Sequence, residues 1–89
     1  MRAIITVTGK DHTGIVASVS KKLADVQVNI LDISQTLMEE YFTMILLCDF
    51  SSSPHSIREV REQMKEIEKE EKLVIRIQSE EIFDAMHTL

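Results

Sequence analysis

Apolar and polar positions alternate along the first residues of the chain. Ala3, Ile5 and Val7 fall on one side, and Arg2, Ile4, Thr6 and Thr8 on the other. A period of two marks a strand with one face in a core, so residues 2–8 predict a first strand. The period then lengthens. Ile15, Val16, Val19, Leu23 and Val26 recur at helical spacing, with Ser18, Lys21, Lys22 and Asp25 on the other side. This predicts a helix over about 14–26, with Thr13 placed to cap its first turn.

Residues 29–38 alternate again, Leu31, Ile33 and Leu37 opposing Asp32, Ser34 and Thr36. A turn at Glu39-Glu40 leads into residues 41–50, and the two arms predict an antiparallel hairpin. In the second arm Phe42, Met44, Leu46, Cys48 and Phe50 form one row, with Ile45 and Leu47 on the reverse. A strand apolar on both faces predicts an internal position and some cover on the sheet's second face.

Ser51-Ser52-Ser53-Pro54 ends the hairpin. Pro54 suits a first helical turn and Ser56 with Glu59 has capping-box spacing, so a second helix has two candidate starts. Ile57, Val60, Met64 and Ile67 make its apolar stripe. On its charged side Glu62/Lys65, Glu66/Lys69 and Glu68/Lys72 are spaced to pair, a solvated face. Residues 72–79 predict a fourth strand. From Ser79 a cap candidate and two acids open a short helical tail over about 80–89, with Ile82, Phe83, Met86 and Leu89 on one side to cover something apolar. Met38, Met44, Met64 and Met86 read as core fillers.

The order β-α-β-β-α-β, with its helical tail, predicts an α+β ferredoxin-like sandwich over residues 1–89 as one domain. Two helices cover one face of a four-stranded antiparallel sheet. A core this small, an apolar tail and a two-sided strand predict a homodimer.

Charge narrows the partners. With 15 acidic against 10 basic residues the net charge is −5, which opposes nucleic acid and anionic membranes. No apolar run approaches the roughly 20 residues that span a bilayer, and the first residues read as a strand and no leader. The one cysteine, Cys48, lies in an apolar strand, so no internal disulfide forms and a cytoplasmic location is expected.

The two glycines frame the loop Gly9-Lys10-Asp11-His12-Thr13-Gly14 between a strand and a helix. Such a loop lets backbone approach a ligand and aims free helix N–H groups at it, an arrangement suited to a carboxylate. It is no nucleotide loop: Ile15-Val16 stand where a lysine and a Ser/Thr are needed. An acylphosphatase loop would require an arginine, and none lies between Arg2 and Arg58. RNA-recognition aromatics are missing from the first strand. His12, His55, His87 and Cys48 lack metal-ligand spacing, and no nucleophile adjoins a base. Neither catalysis nor a cofactor or metal is expected.

The run Thr8-Gly9-Lys10-Asp11-His12-Thr13-Gly14-Ile15-Val16, followed by Val28-Asn29-Ile30-Leu31-Asp32-Ile33-Ser34-Gln35, resembles ACT domains over nearly the whole chain. The closing pattern from Ile77 to His87 is similar to the small bacterial and archaeal proteins made of one ACT domain. A more distant likeness is to the glycine cleavage system regulator. The resemblance implies dimerisation and a small effector, commonly an amino acid. It would bind at a subunit interface between the first loop (Asp11, His12, Thr13, Gly14, Ile15) and the start of strand two (Asn29, Ile30). By chemistry Asp11 could take an ammonium, Asn29 could donate and accept, and N–H groups near Gly14 and Ile15 could take a carboxylate. His12-Thr13 replace the Arg-Pro of many members. A structural alternative stands beside this: Gly14 permits close helix packing, Asp11 caps a turn and Asn29 occupies a left-handed bend.

Two functions follow. One is a dimeric sensor that binds a small molecule, an amino acid by resemblance, and reports to a protein target the sequence does not identify. The other is an interaction adaptor working through its dimer and tail surfaces with no ligand.

Overall fold

In the computed structural model residues 1–87 are described, His87 by its backbone alone, so Leu89 lies outside the described residues. The elements are β1 (Arg2–Lys10), α1 (Ile15–Asp25), β2 (Asn29–Met38), β3 (Tyr41–Asp49), α2 (Ile57–Glu71), β4 (Leu73–Ser79) and α3 (Glu80–His87). The four strands form one antiparallel sheet in the order β2-β3-β1-β4. This is the ferredoxin-like sandwich that the alternation of periods predicts.

One face of the sheet meets both helices. Ala3, Ile5 and Val7 of β1, Met44, Leu46 and Cys48 of β3 and Ile75 and Ile77 of β4 form a single buried cluster with Ile15, Val19 and Leu23 of α1 and Val60, Met64 and Ile67 of α2. Each helix contributes the apolar stripe its spacing defines. At about 25 cal/mol per Å² of apolar surface removed from water, this cluster is the main favourable term in the fold.

Local signals set most boundaries. At α2 the choice between two starts falls on Ser56: its hydroxyl accepts from Glu59 N–H at 3.2 Å and the Glu59 carboxylate accepts from Ser56 N–H at 2.9 Å. Ser79 Oγ likewise accepts from Ile82 N–H at the head of α3. Of the three predicted ion pairs on α2, Glu62–Lys65 forms at 2.9 Å. Glu66 instead approaches Lys22 of α1, and Glu68 accepts from Ile75 N–H of β4. Contacts to α1 and to β4 take these side chains away from their own helix.

Three features depart from simple alternation. β1 continues through Gly9 to Lys10, because Gly9 pairs with both Phe42 and Leu73. A bulge between Ile30 and Asp32 breaks the period of two in β2 and puts Ile30 on the same face as Ile33. β2 is exposed along its length except at the half-buried Ile30. On the sheet's second face Ile45 and Val74 are exposed, while α3 approaches one end, where Gln78 Nε2 donates to Met86 Sδ at 3.3 Å. Ile82 and Met86 of the tail remain largely exposed. No described helix is long and apolar enough to cross a membrane.

Candidate ligand-binding site

The loop between β1 and α1 shortens to residues 11–14 once Gly9 and Lys10 belong to the strand. Its start is tied down by Asp11 N–H, which donates to Glu40 O in the β2–β3 turn at 2.8 Å. Its end is Gly14, with φ 93° and ψ 0°, the left-handed conformation that glycine adopts without penalty. Gly14, and not Thr13, occupies the N-cap position, and no side chain caps the helix. The expected Thr13 cap is therefore corrected: the left-handed turn at Gly14 takes the cap position itself.

The first helical bond runs from Ser18 N–H to Gly14 O at 2.9 Å. Among the described residues, nothing accepts from the N–H groups of Ile15, Val16 and Ala17. Those amides remain available to a ligand, as helix heads leave them. The Ile15 side chain itself is buried in the core. Close packing does not explain Gly14, since a Cβ there would meet nothing within 4 Å. Nor does a left-handed bend involve Asn29; that conformation belongs to Gln27. The Asp11 carboxylate makes no ion pair among the described residues.

His12 fastens the loop to the far end of α2. Its Nε2 lies 3.0 Å from Glu71 O and 3.4 Å from a Glu71 carboxylate oxygen, and its Nδ1 lies 3.2 Å from Thr13 O. Carbonyl oxygens only accept, so both contacts are satisfied when both ring nitrogens carry protons. The bonds to Glu71 O and then Thr13 O raise the His12 pKa above its ordinary value, with the Glu71 and Asp11 charges adding to them. Ser18 Oγ donates to Glu71 Oε1 at 3.0 Å, so Glu71 gathers the loop, α1 and α2 at one point. A surface cavity of about 370 Å³ opens beside this point, lined by Lys10, His12, Glu70, Glu71 and Lys72. The sequence reading did not place Glu71 or Lys72 at this site. They reach the loop through the β1–β4 pairing, for which the residues around them give no local signal.

Asn29 and Ile30 lie elsewhere within one chain. Asn29 pairs with Asp49, which pairs with Arg2 at the start of β1, whereas the loop follows Lys10 at its end. Eight residue steps at about 3.3 Å separate those ends by roughly 26 Å. One chain thus unites Asp11, His12, Thr13, Gly14 and Ile15 but leaves Asn29 and Ile30 at the opposite end of the sheet. Cys48 is fully buried, and burial pushes its thiol up to about 11, which makes it a core residue.

Comparison with known proteins agrees with this architecture. The profile of the ACT domain matches residues 2–78. The UPF0237 protein of Corynebacterium diphtheriae is 55% identical over 89 residues, covering 100% of both chains. The solved ACT domain protein from Streptococcus pneumoniae is 45% identical, covers 98% of each chain and superposes with a TM-score of 0.82. A putative glycine cleavage system transcriptional repressor shares the fold, with a TM-score of 0.75 at 23% identity, over 86% of this chain and 44% of that one. With the sandwich, the glycine-turned helix head and these relatives in hand, the chain belongs to the ACT-domain family.

Proposed function

We propose that this protein is a regulatory binding module without catalytic activity, in which two copies create a site for a small effector, an amino acid. The observation that carries the reading is the opposition of its two halves along an unprotected edge. Asp11 and the free amides of α1 stand at one end of the sheet, Asn29 at the other, and β2 between them is an exposed outer strand. A two-fold axis near the middle of β2 pairs this strand with its copy and carries Asn29 of the partner subunit to the Met38 end. At that end Asp11 is bonded to Glu40 beside the turn. The loop amides then face a carboxylate, Asp11 an ammonium, and the partner's Asn29 a remaining polar group.

The other edge of the sheet is closed to such pairing. Glu68 accepts from Ile75 N–H at 2.9 Å, and Arg61 Nη2 donates to Ile77 O at 2.9 Å, so side chains of α2 occupy outward backbone groups of β4. Association is directed to β2.

A thermal-shift screen of the twenty amino acids and common metabolic acids tests the reading. Ligand at 100 times its Kd stabilises by about 2.7 kcal/mol. A hit should be lost in Asn29→Ala and in Asp11→Ala. No shift with any compound overturns it. The exposure of Ile82 and Met86 on α3 favours a second reading, an adaptor that binds a protein through the tail. Ile82→Asp should then abolish partner capture while Asn29→Ala preserves it, and the opposite pattern eliminates the adaptor.

A further inference from the structure

Lys10 and Lys72 line one cavity, brought to it by the β1–β4 pairing. Gly9 pairs with Leu73 at the end of the β1–β4 ladder, so Lys10 and Lys72 are the residues just beyond the last pair. Like charges that line one cavity repel each other. Among the described residues neither lysine has an ion-pair partner, although the chain carries an excess of acids. Lys72 also ends α2 with φ 56° and ψ 52°, its N–H donating to Glu68 O. That left-handed cap position ordinarily goes to glycine or asparagine, so a lysine there accepts backbone strain as well as repulsion.

Three cationic or ionisable nitrogen side chains and two acids share the cavity wall. Both lysines line the 370 Å³ cavity with His12. Of the two acids in its wall, Glu71 is engaged by the Ser18 hydroxyl and the His12 ring. Glu70 is shared with a neighbouring groove that Lys21 and Lys22 also line. Two lysines and an adjoining imidazole around a cavity of ligand size make an arrangement whose mutual repulsion an anion would relieve.

We propose that this cavity binds a small oxyanion, the carboxylate or phosphate group of a metabolite, between the ammonium groups of Lys10 and Lys72 with His12 alongside. One chain builds the whole site, so it stands apart from the two-copy effector site and needs neither Asn29 nor a dimer. His12 is itself a residue of the β1–α1 loop, so an anion here bears on that loop's position.

The test is an NMR titration of ¹⁵N-labelled protein with inorganic phosphate and, separately, succinate, at constant ionic strength with sodium chloride as the control. Saturable shifts at the Lys10, His12 and Lys72 amides are expected with at least one anion. They should weaken at least tenfold in the Lys10→Gln/Lys72→Gln variant and persist in Asn29→Ala. Saturation by phosphate alone identifies a phosphorylated ligand, and by succinate alone a carboxylic acid. The melting temperature of the unliganded double variant supplies a separate readout: with the repulsion gone it should rise. Shifts no larger than those of chloride, or an unchanged affinity in the folded double variant, overturn the proposal.

Discussion

The chain's two glycines serve different physical needs, and substitution separates them. A Cβ on Gly9 would sit 2.7 Å from Leu73 Cδ2 and 3.2 Å from Lys72 O, and Leu73 is itself buried. Gly9→Ala should destabilise by about 1 to 3 kcal/mol through overpacking. At Gly14 there is space but φ is 93°. Gly14→Ala should cost about 1 kcal/mol of backbone strain and spare the core. Denaturant unfolding measures both costs, and an alternative Leu73 rotamer in a Gly9→Ala structure would mark the first mechanism. His12 adds a pH dependence at the same scale. Its folded pKa is raised above 6.5, first by the bond to Glu71 O. Its contribution is therefore fully present below pH 6.5 and is lost as pH rises through the folded value. Hydrogen exchange across residues 11–14 should quicken over that interval, and His12→Gln should flatten the dependence. Cys48, with its thiol pushed up to about 11, should resist thiol reagents at neutral pH until the protein unfolds.

At the scale of elements the two edges of the sheet contrast. β2 offers ten residues from Asn29 to Met38, with Leu37 59% and Met38 70% exposed. β4 is shielded by Arg61 and Glu68, whose guanidinium and carboxylate bond to its outer backbone. A helix thus polices the strand that follows it, a device known to limit edge-to-edge aggregation. Arg61→Ala/Glu68→Ala should free the β4 edge and give species larger than those of the parent in sedimentation velocity. Sedimentation unchanged from the parent would show that these bonds only brace α2. The capping box of α2 is a separate, local contribution: Ser56→Ala should lower stability by about 1 kcal/mol.

For the whole molecule, the roughly 26 Å between Asn29 and the loop is the governing dimension. The proposed recognition, which uses both ends of one sheet, needs a second copy and would link effector binding to association. Ile33→Lys places a charge in the middle of the exposed strand and, with the two-copy site proposed above, should shift sedimentation equilibrium from dimer toward monomer while leaving the core intact. If the effector shift disappears with the dimer, the two are coupled as the two-fold arrangement requires. If the parent sediments as a monomer at high micromolar concentration, the shared site is excluded.

Much of this protein follows from local order in its sequence. Side-chain period sets strand or helix, and with it which residues enter the core: Ala3, Ile5 and Val7, or Val60, Met64 and Ile67, need no knowledge of their neighbours. Ser56 with Glu59 closes a box within one turn, so it too is legible. The β1–α1 loop stands out because glycine is scarce and the chain's two glycines, Gly9 and Gly14, lie on either side of Asp11, His12 and Thr13. What the tertiary structure alone decides is which distant residues meet. Gly9 is a strand residue because Phe42 and Leu73 pair with it, and Asn29 is remote from the loop because β2 and β3 run antiparallel. Lys10 and Lys72 come to line one cavity, and His12 meets Glu71, through pairing across some sixty residues. Register and strand order arise from the packing of all elements at once, and periodicity records the face a residue presents, not the partner it finds there.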